Sequence, residues 1–266
     1  MSMSIGCVGC GNMGGAILAG LAASSLDCTL YGHTRTAARM APLEAAGVTR
    51  LDSARELARK ARYVVMAVKP YQIEALLAEM APEFGPDTVV ISVAAGISIA
   101  RLQAAVAGRC PVVRCMPNTP ALVGKGVFAL CFDDKVPAES KEDILRFFSQ
   151  LGVCLELPES RFTAFSALIG AGPAYVFGMM QGLVQAGITL GLGRKDCRDM
   201  VAALFEGSAV MAARSDTPLM ELRDQVCSPG GLTIAGVNVL DRAGLSGLLV
   251  DAVLAADERG REMEKE

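Results

Sequence analysis

Gly9-Cys10-Gly11-Asn12-Met13-Gly14 restricts the fold of this chain more than any other segment. The spacing G-x-G-x-x-G follows an apolar run, residues 4–8, and opens a stretch of small and apolar residues, 12–23, with helical character. In that setting each glycine has its own task. Gly9 permits a tight turn, Gly11 lets the backbone approach a pyrophosphate, and Gly14 lets the helix pack on the strand. Asn12 and Met13 complete the candidate dinucleotide contacts of this segment.

The pattern beyond the turn is consistent with it. Residues 27–31, 63–68, 88–93, 112–115, 127–132 and 153–157 read as further short strands, rich in β-branched residues. Between them, residues 36–46, 72–80, 98–106 and 138–151 have helical spacing. Buried strands alternating with helices imply a parallel, doubly wound sheet with right-handed crossovers. After Pro158 the strand signals vanish, and helical patterns are broken only near residues 191–193, 215–218 and 243–244. The expected class is therefore α/β: a Rossmann-type doubly wound sheet in residues 1–158, then an all-α domain in residues 159–266.

A length of 266 residues, 52% hydrophobic and 20% charged, suits two domains with substantial cores. The net charge of -3 gives no electrostatic case for nucleic acid or an anionic membrane as partner. Residues 1–5 run almost directly into the first strand, with no signal-type apolar segment ahead of it. Nine scattered cysteines, an odd number, suit a reduced cytoplasmic protein better than a disulfide framework. Cys7 and Cys10 have C-x-x-C spacing but no second such pair, and His33 is the sole histidine, so no metal site is expected. The charge-free run between Arg161 and Arg194 is long enough to span a bilayer. Its glycines, its proline and the Gln181/Gln185 pair favour a helix buried in protein, at a subunit interface for example.

Cofactor choice turns on the loop after the second strand. Sites for NAD usually place an acidic side chain there. Here the loop reads His33-Thr34-Arg35-Thr36, with Arg39 beyond and no Asp or Glu. Arg35 with a threonine hydroxyl suits a 2′-phosphate, which points to NADPH over NADH. His33 faces adenine, phosphate or solvent. Lys69-Pro70 follows a strand end, where ligands collect in open α/β sheets, and is a candidate border of the nicotinamide ribose. Asn118, in the stiff loop Met116-Pro117-Asn118-Thr119-Pro120, is a candidate polar contact on the nicotinamide side. Far downstream, Ser228-Pro229-Gly230-Gly231-Leu232-Thr233 reads as an anion cradle. Ser228 suits an N-cap and Pro229 a first helical turn. Two glycines would then let an anion meet free N–H groups.

Taken in order, these motifs resemble the pyrroline-5-carboxylate reductase family. The resemblance is carried by Gly9–Gly14, Ala67-Val68-Lys69-Pro70, Val93-Ala94-Ala95-Gly96, Arg114-Cys115-Met116-Pro117-Asn118-Thr119-Pro120, Gly172-Pro173-Ala174-Tyr175 and Asp224-Gln225-Val226-Cys227-Ser228-Pro229-Gly230-Gly231. It implies reduction of 1-pyrroline-5-carboxylate to L-proline with NADPH or NADH. It also implies a helical domain that dimerises by interlocking helices, in a family where rings of dimers occur. On that basis Ala67, Val68, Lys69, Pro70, Ala94, Ala95 and Gly96 join the cofactor contacts. Ser228, Gly230, Gly231 and Leu232 are expected to hold the substrate carboxylate, and Thr233 to hydrogen-bond the ring nitrogen as the catalytic hydroxyl. Two departures leave fewer hydroxyls than the family commonly has: Leu232 where a threonine is usual, and Ile169-Gly170-Ala171 in place of Ser-Gly-Ser. Replacing Arg35 by Glu should raise the Michaelis constant for NADPH much more than that for NADH. Equal effects on the two cofactors would remove Arg35 from the 2′-phosphate site.

Overall fold

The computed structural model describes residues 3–263, so the outermost residues of the two expected domains, 1–2 and 264–266, lie outside the described residues. Eight strands form one sheet: β1 (Met3–Val8), β2 (Cys28–His33), β3 (Thr49–Arg50), β4 (Tyr63–Met66), β5 (Val89–Ser92), β6 (Val112–Met116), β7 (Gly126–Phe132) and β8 (Gly152–Glu156). Their order is β3-β2-β1-β4-β5-β6-β7-β8. Neighbours are parallel except β6 with β7, so β7 and β8 run against the rest, a reversal absent from the expected parallel sheet. The chain steps from β1 outward to β3 and then returns to place β4 on the other side of β1. Strand order thus switches between β1 and β4, the place where open α/β sheets bind ligands.

Six helices accompany the sheet: α1 (Asn12–Ala22), α2 (Ala41–Ala45), α3 (Ala54–Lys60), α4 (Pro70–Met80), α5 (Ile99–Ala105) and α6 (Ala138–Ser149). Strand residues alternate between two apolar layers, as the period of two requires. Ile5, Tyr63, Val65, Ile91 and Val113 face a core with Ile17 and Leu18 of α1 and Phe147 and Phe148 of α6. Val8, Val64, Met66, Val90 and Val112 face the other, with Leu57 of α3, Ile73 and Leu77 of α4 and Leu102 of α5. Burying each such side chain contributes roughly 1.5–3 kcal/mol.

Local chemistry explains where elements begin. β4 ends at Met66, short of the expected residue 68, and Pro70 starts α4, since Lys69 holds extended backbone and proline needs no N–H in the first turn. Two elements, β3 and α3, are absent from the sequence expectation. The start of α3 is nonetheless encoded: the Ser53 hydroxyl accepts from the Glu56 N–H at 3.1 Å, and the Glu56 carboxylate accepts from the Asp52 N–H at 3.2 Å.

Beyond β8 the chain is helical: α7 (Phe162–Phe165), a π-helical turn (Ser166–Gly170), α8 (Gly172–Thr189), α9 (Arg194–Ala213), α10 (Leu219–Gln225), α11 (Leu232–Arg242) and α12 (Leu245–Met263). Residues 3–170 with 257–263 form one compact unit, and Ala171–Ala256 a second. Pro158-Glu159 lies inside the first unit, since Phe162 and Phe165 pack with Ala129 of β7. The second unit has a small core of Val184, Cys197 and Val201. It leaves Phe177 63%, Leu190 82% and Leu219 70% exposed. The helical run Glu159–Thr189 is long and apolar enough by composition to cross a membrane, and it too is mostly exposed.

Candidate functional site

In the first unit, the β1–α1 turn is built by close approach. Gly9 has φ +97, and a Cβ there would lie 2.8 Å from the carbonyl carbon and oxygen of Ala67. Its N–H donates to the His33 carbonyl at 2.8 Å, while the Ala67 N–H donates to the Val8 carbonyl at 2.8 Å. The ends of β2, β1 and β4 are thereby tied together. A Cβ on Gly14 would strike the Gly9 carbonyl oxygen and lie 2.7 Å from Cys7 Sγ. Gly11 differs: the nearest atom to a Cβ there is Arg39 Nη1 at 3.5 Å. Gly11 is the N-cap of α1, with no side-chain cap and no acidic residue in the first turn. The first N–H groups of α1 and the positive helix end therefore face outward uncompensated, which suits a phosphate.

The basic loop lies beside this helix end. Arg39 Nη1 donates to Asn12 Oδ1 at 3.5 Å. In the sequence Arg39 is only a second cation in the loop beyond Arg35; the fold brings it to Asn12 at the start of α1. Arg35 is exposed and makes no hydrogen bond or ion pair among the described residues, and Thr34 is half-buried. His33 Nδ1 lies 3.0 Å from the Leu51 carbonyl oxygen. A carbonyl only accepts, so Nδ1 carries the proton and Nε2 is the ring atom left for other partners.

Cys7 and Cys10 are core residues beneath the turn. Cys10 Sγ donates to the Cys7 and His33 carbonyls, both at 3.7 Å. A side-chain hydrogen bond between the two thiols draws Cys10 below its ordinary value and, together with burial, holds Cys7 well above it. Among the described residues no group of three or more His, Cys, Asp and Glu is placed to hold a metal.

The other strand ends bring up the remaining candidates. Ala67 and Val68 are half-buried against the Gly9 turn, and Lys69 and Pro70 are exposed at the start of α4. Ala94 is buried, while Ala95 and Gly96 are exposed in the loop from β5 to α5. Asn118 is only 7% exposed, and its amide is engaged inside the fold. Its Oδ1 accepts from the Val127 N–H at 2.9 Å and its Nδ2 donates to the Ile169 carbonyl at 3.3 Å. It clamps the loop after β6; a nicotinamide contact would have only its second amide proton and free lone pair.

The second unit holds the other candidate cluster, with a correction to its local form. Ser228 does not cap the helix, and Pro229 is not in it. Ser228-Pro229-Gly230-Gly231 is a turn closed by the Gly231 N–H donating to the Ser228 carbonyl at 3.0 Å. Proline in the second place and Gly230 at φ +69 in the third are the arrangement of a type II turn. The helix α11 then starts at Leu232, with Gly231 as an N-cap that has no side-chain bond. The Ser228 hydroxyl lies beside that end, where a Cβ on Gly231 would collide with it. Thr233, in the first turn, is exposed, and its hydroxyl has no hydrogen bond among the described residues. An uncapped helix end flanked by two free hydroxyls can hold a small carboxylate.

Comparison with known proteins places these features in context. Residues 159–263 match the family described as pyrroline-5-carboxylate reductase dimerisation, and residues 4–96 match NADP oxidoreductase coenzyme F420-dependent. The chain is 35% identical to a pyrroline-5-carboxylate reductase of Corynebacterium melassecola, over 98% of this chain and 99% of the relative. A solved pyrroline-5-carboxylate reductase from Coxiella burnetii superposes with a TM-score of 0.91 at 30% identity, covering 99% of each chain. The pyrroline carboxylate reductase of Plasmodium falciparum, solved with NADP bound, gives 0.86 at 30% identity, covering 98% of each.

Replacing Gly9 by alanine should cost about 2–4 kcal/mol, from left-handed strain and the clash with Ala67. Urea unfolding measures this, and an unchanged midpoint would show that the turn relaxes freely.

Proposed function

The chain belongs to the pyrroline-5-carboxylate reductase family, and on that footing we propose that it reduces 1-pyrroline-5-carboxylate to L-proline with NADPH, the closing step of proline biosynthesis. One observation carries the reading: a dinucleotide turn in one unit and an uncapped, hydroxyl-flanked helix end in the other occur on a single chain. Gly11 leaves room for a pyrophosphate, and Arg35 and Arg39 supply the cations a 2′-phosphate needs, so the residues present fit NADPH. When bound, that cofactor supplies the hydride.

The chain's own groups bind, orient and protonate. Gly9, Gly11, Asn12, Met13 and Gly14 hold the pyrophosphate, with His33, Thr34 and Arg35 at the adenosine end. Ala67, Val68, Lys69, Pro70, Ala94, Ala95, Gly96 and Asn118 border the nicotinamide half. The Ser228 hydroxyl and the N–H groups around Gly230, Gly231 and Leu232 hold the substrate carboxylate. The Thr233 hydroxyl hydrogen-bonds the ring nitrogen, which must end with one added proton as the imine CH carbon gains the hydride and becomes a CH2 centre. A protonated imine is already electrophilic, so the task is positioning rather than strong acid–base chemistry.

The same reading makes residues 159–263 the dimerisation segment of a homodimer and keeps the division of labour at Pro158-Glu159. Its support is the dimerisation match and the large apolar side chains Phe177, Leu190 and Leu219 left exposed on the single chain. A second copy of the chain, not lipid, is then the cover for the apolar run Glu159–Thr189, and the solution mass tells a dimer from a ring of dimers. A reducing cytoplasmic setting accords with nine free cysteines.

Adding pyrroline-5-carboxylate to the protein with NADPH should consume NADPH, read by its absorbance. No consumption would leave a dinucleotide-binding protein without this activity. Thr233→Ala should lower turnover by about tenfold. Turnover near that of the unaltered chain would take Thr233 out of the mechanism.

A further inference from the structure

The loop between β5 and α5 is held at two points. At its start the Val93 N–H donates to the Met66 carbonyl at 3.1 Å and the Ala94 N–H to the Ser92 hydroxyl at 3.3 Å. At its end the Ile99 N–H donates to Glu159 Oε1 at 2.8 Å. Between them, the N–H groups of Ala95, Gly96, Ile97 and Ser98 have no partner among the described residues. The second anchor is thus a carboxylate from a residue 60 positions downstream, the first of the segment that matches the dimerisation family.

That carboxylate is itself fixed. Glu159 Oε1 also accepts from Arg114 Nη1 at 3.0 Å. Arg114 lies within β6, where its neighbours are apolar, and is only 6% exposed. Its guanidinium stacks over the Phe162 ring at 4.7 Å. A buried cation held on both sides gives Glu159 little freedom to move. A cavity of about 330 Å³, lined by Gly96, Ser98, Arg101, Arg114, Glu159 and Ser160, lies directly against the loop tip. Gly96, at φ +75, is exposed, and a Cβ there would meet nothing within 4 Å, so the tip has little packing of its own to hold its shape.

Sheet order tells which part of the cofactor this loop meets. The basic loop that suits the 2′-phosphate follows β2, on one side of β1, and β4 and β5 lie on the other. A dinucleotide bridging the switch point with its adenosine end over β2 has its nicotinamide end over β4 and β5. We propose that Glu159, held in place by Arg114, is a positioning residue for the nicotinamide half of the cofactor, acting through the Ile99 N–H on the Ala94–Ala95–Gly96 loop. This rests on the reductase reading of the dinucleotide site.

The test is titration of the full-length protein by calorimetry with NADPH and, separately, with 2′,5′-ADP, which lacks the nicotinamide half. Glu159→Ala should weaken NADPH about five- to tenfold by loosening a preformed loop, and leave 2′,5′-ADP within about twofold. Glu159→Gln keeps an acceptor for Ile99 and removes the charge facing Arg114; it should fall between Glu159→Ala and the unaltered chain. The isosteric variant also serves if the alanine variant fails to fold. Equal weakening of both ligands, or no weakening of NADPH, would overturn the proposal, since a merely structural role does not separate the two halves of the cofactor. Because no imine enters the titration, its outcome is independent of the substrate. Failure to reduce pyrroline-5-carboxylate would sink the function and leave the positioning role standing.

Discussion

The approach of Gly9 to Ala67 is the contact on which the dinucleotide site depends. Three strand ends meet there. The His33 carbonyl takes the Gly9 N–H, and the Val8 carbonyl takes the Ala67 N–H. Any side chain at position 9 would occupy the space of the Ala67 backbone. The turn, the direction of α1 and the crevice at the strand-order switch all follow from that one distance. The start of α1 stays uncapped because Gly11 brings no capping side chain.

The two units are stabilised on different terms. The sheet has apolar layers on both faces and buries nearly every strand residue in its centre. The second unit buries only Val184, Cys197 and Val201 and shows its larger apolar residues to solvent. Chains do not keep such surface wet without function. The candidate carboxylate site at the amino end of α11 thus lies in the unit that carries the exposed apolar residues.

Parts of this architecture are legible in residue order, and the exceptions have physical causes. Helix α3 carries the start signal Ser53 and Glu56, yet its short length and Lys- and Arg-rich end give little periodicity to find. In sequence Pro70 only marks the end of the strand before it; with Lys69 in extended backbone it is also the first residue of α4. Ser228-Pro229 satisfies the preferences of a helix start and of a type II turn alike. The left-handed Gly230 decides for the turn, and the free helix end moves to Leu232 without losing its exposed amides.

By itself the order of residues determined what is local: the strand–turn–helix at Gly9, the alternation of strands and helices, the change to all-helical structure after β8, and the lack of an acid beside Arg35. These follow from periodicity, glycine conformation and charge, which act over a few residues. Only the tertiary structure decided the reversal of β7 and β8, the inward engagement of the Asn118 amide, the nearness of Arg39 to Asn12 and the reach of Glu159 to Ile99 and Arg114. Each joins groups distant in sequence or depends on which way a side chain turns. Packing and the satisfaction of buried polar atoms settle such pairings, and neither leaves a mark on local sequence.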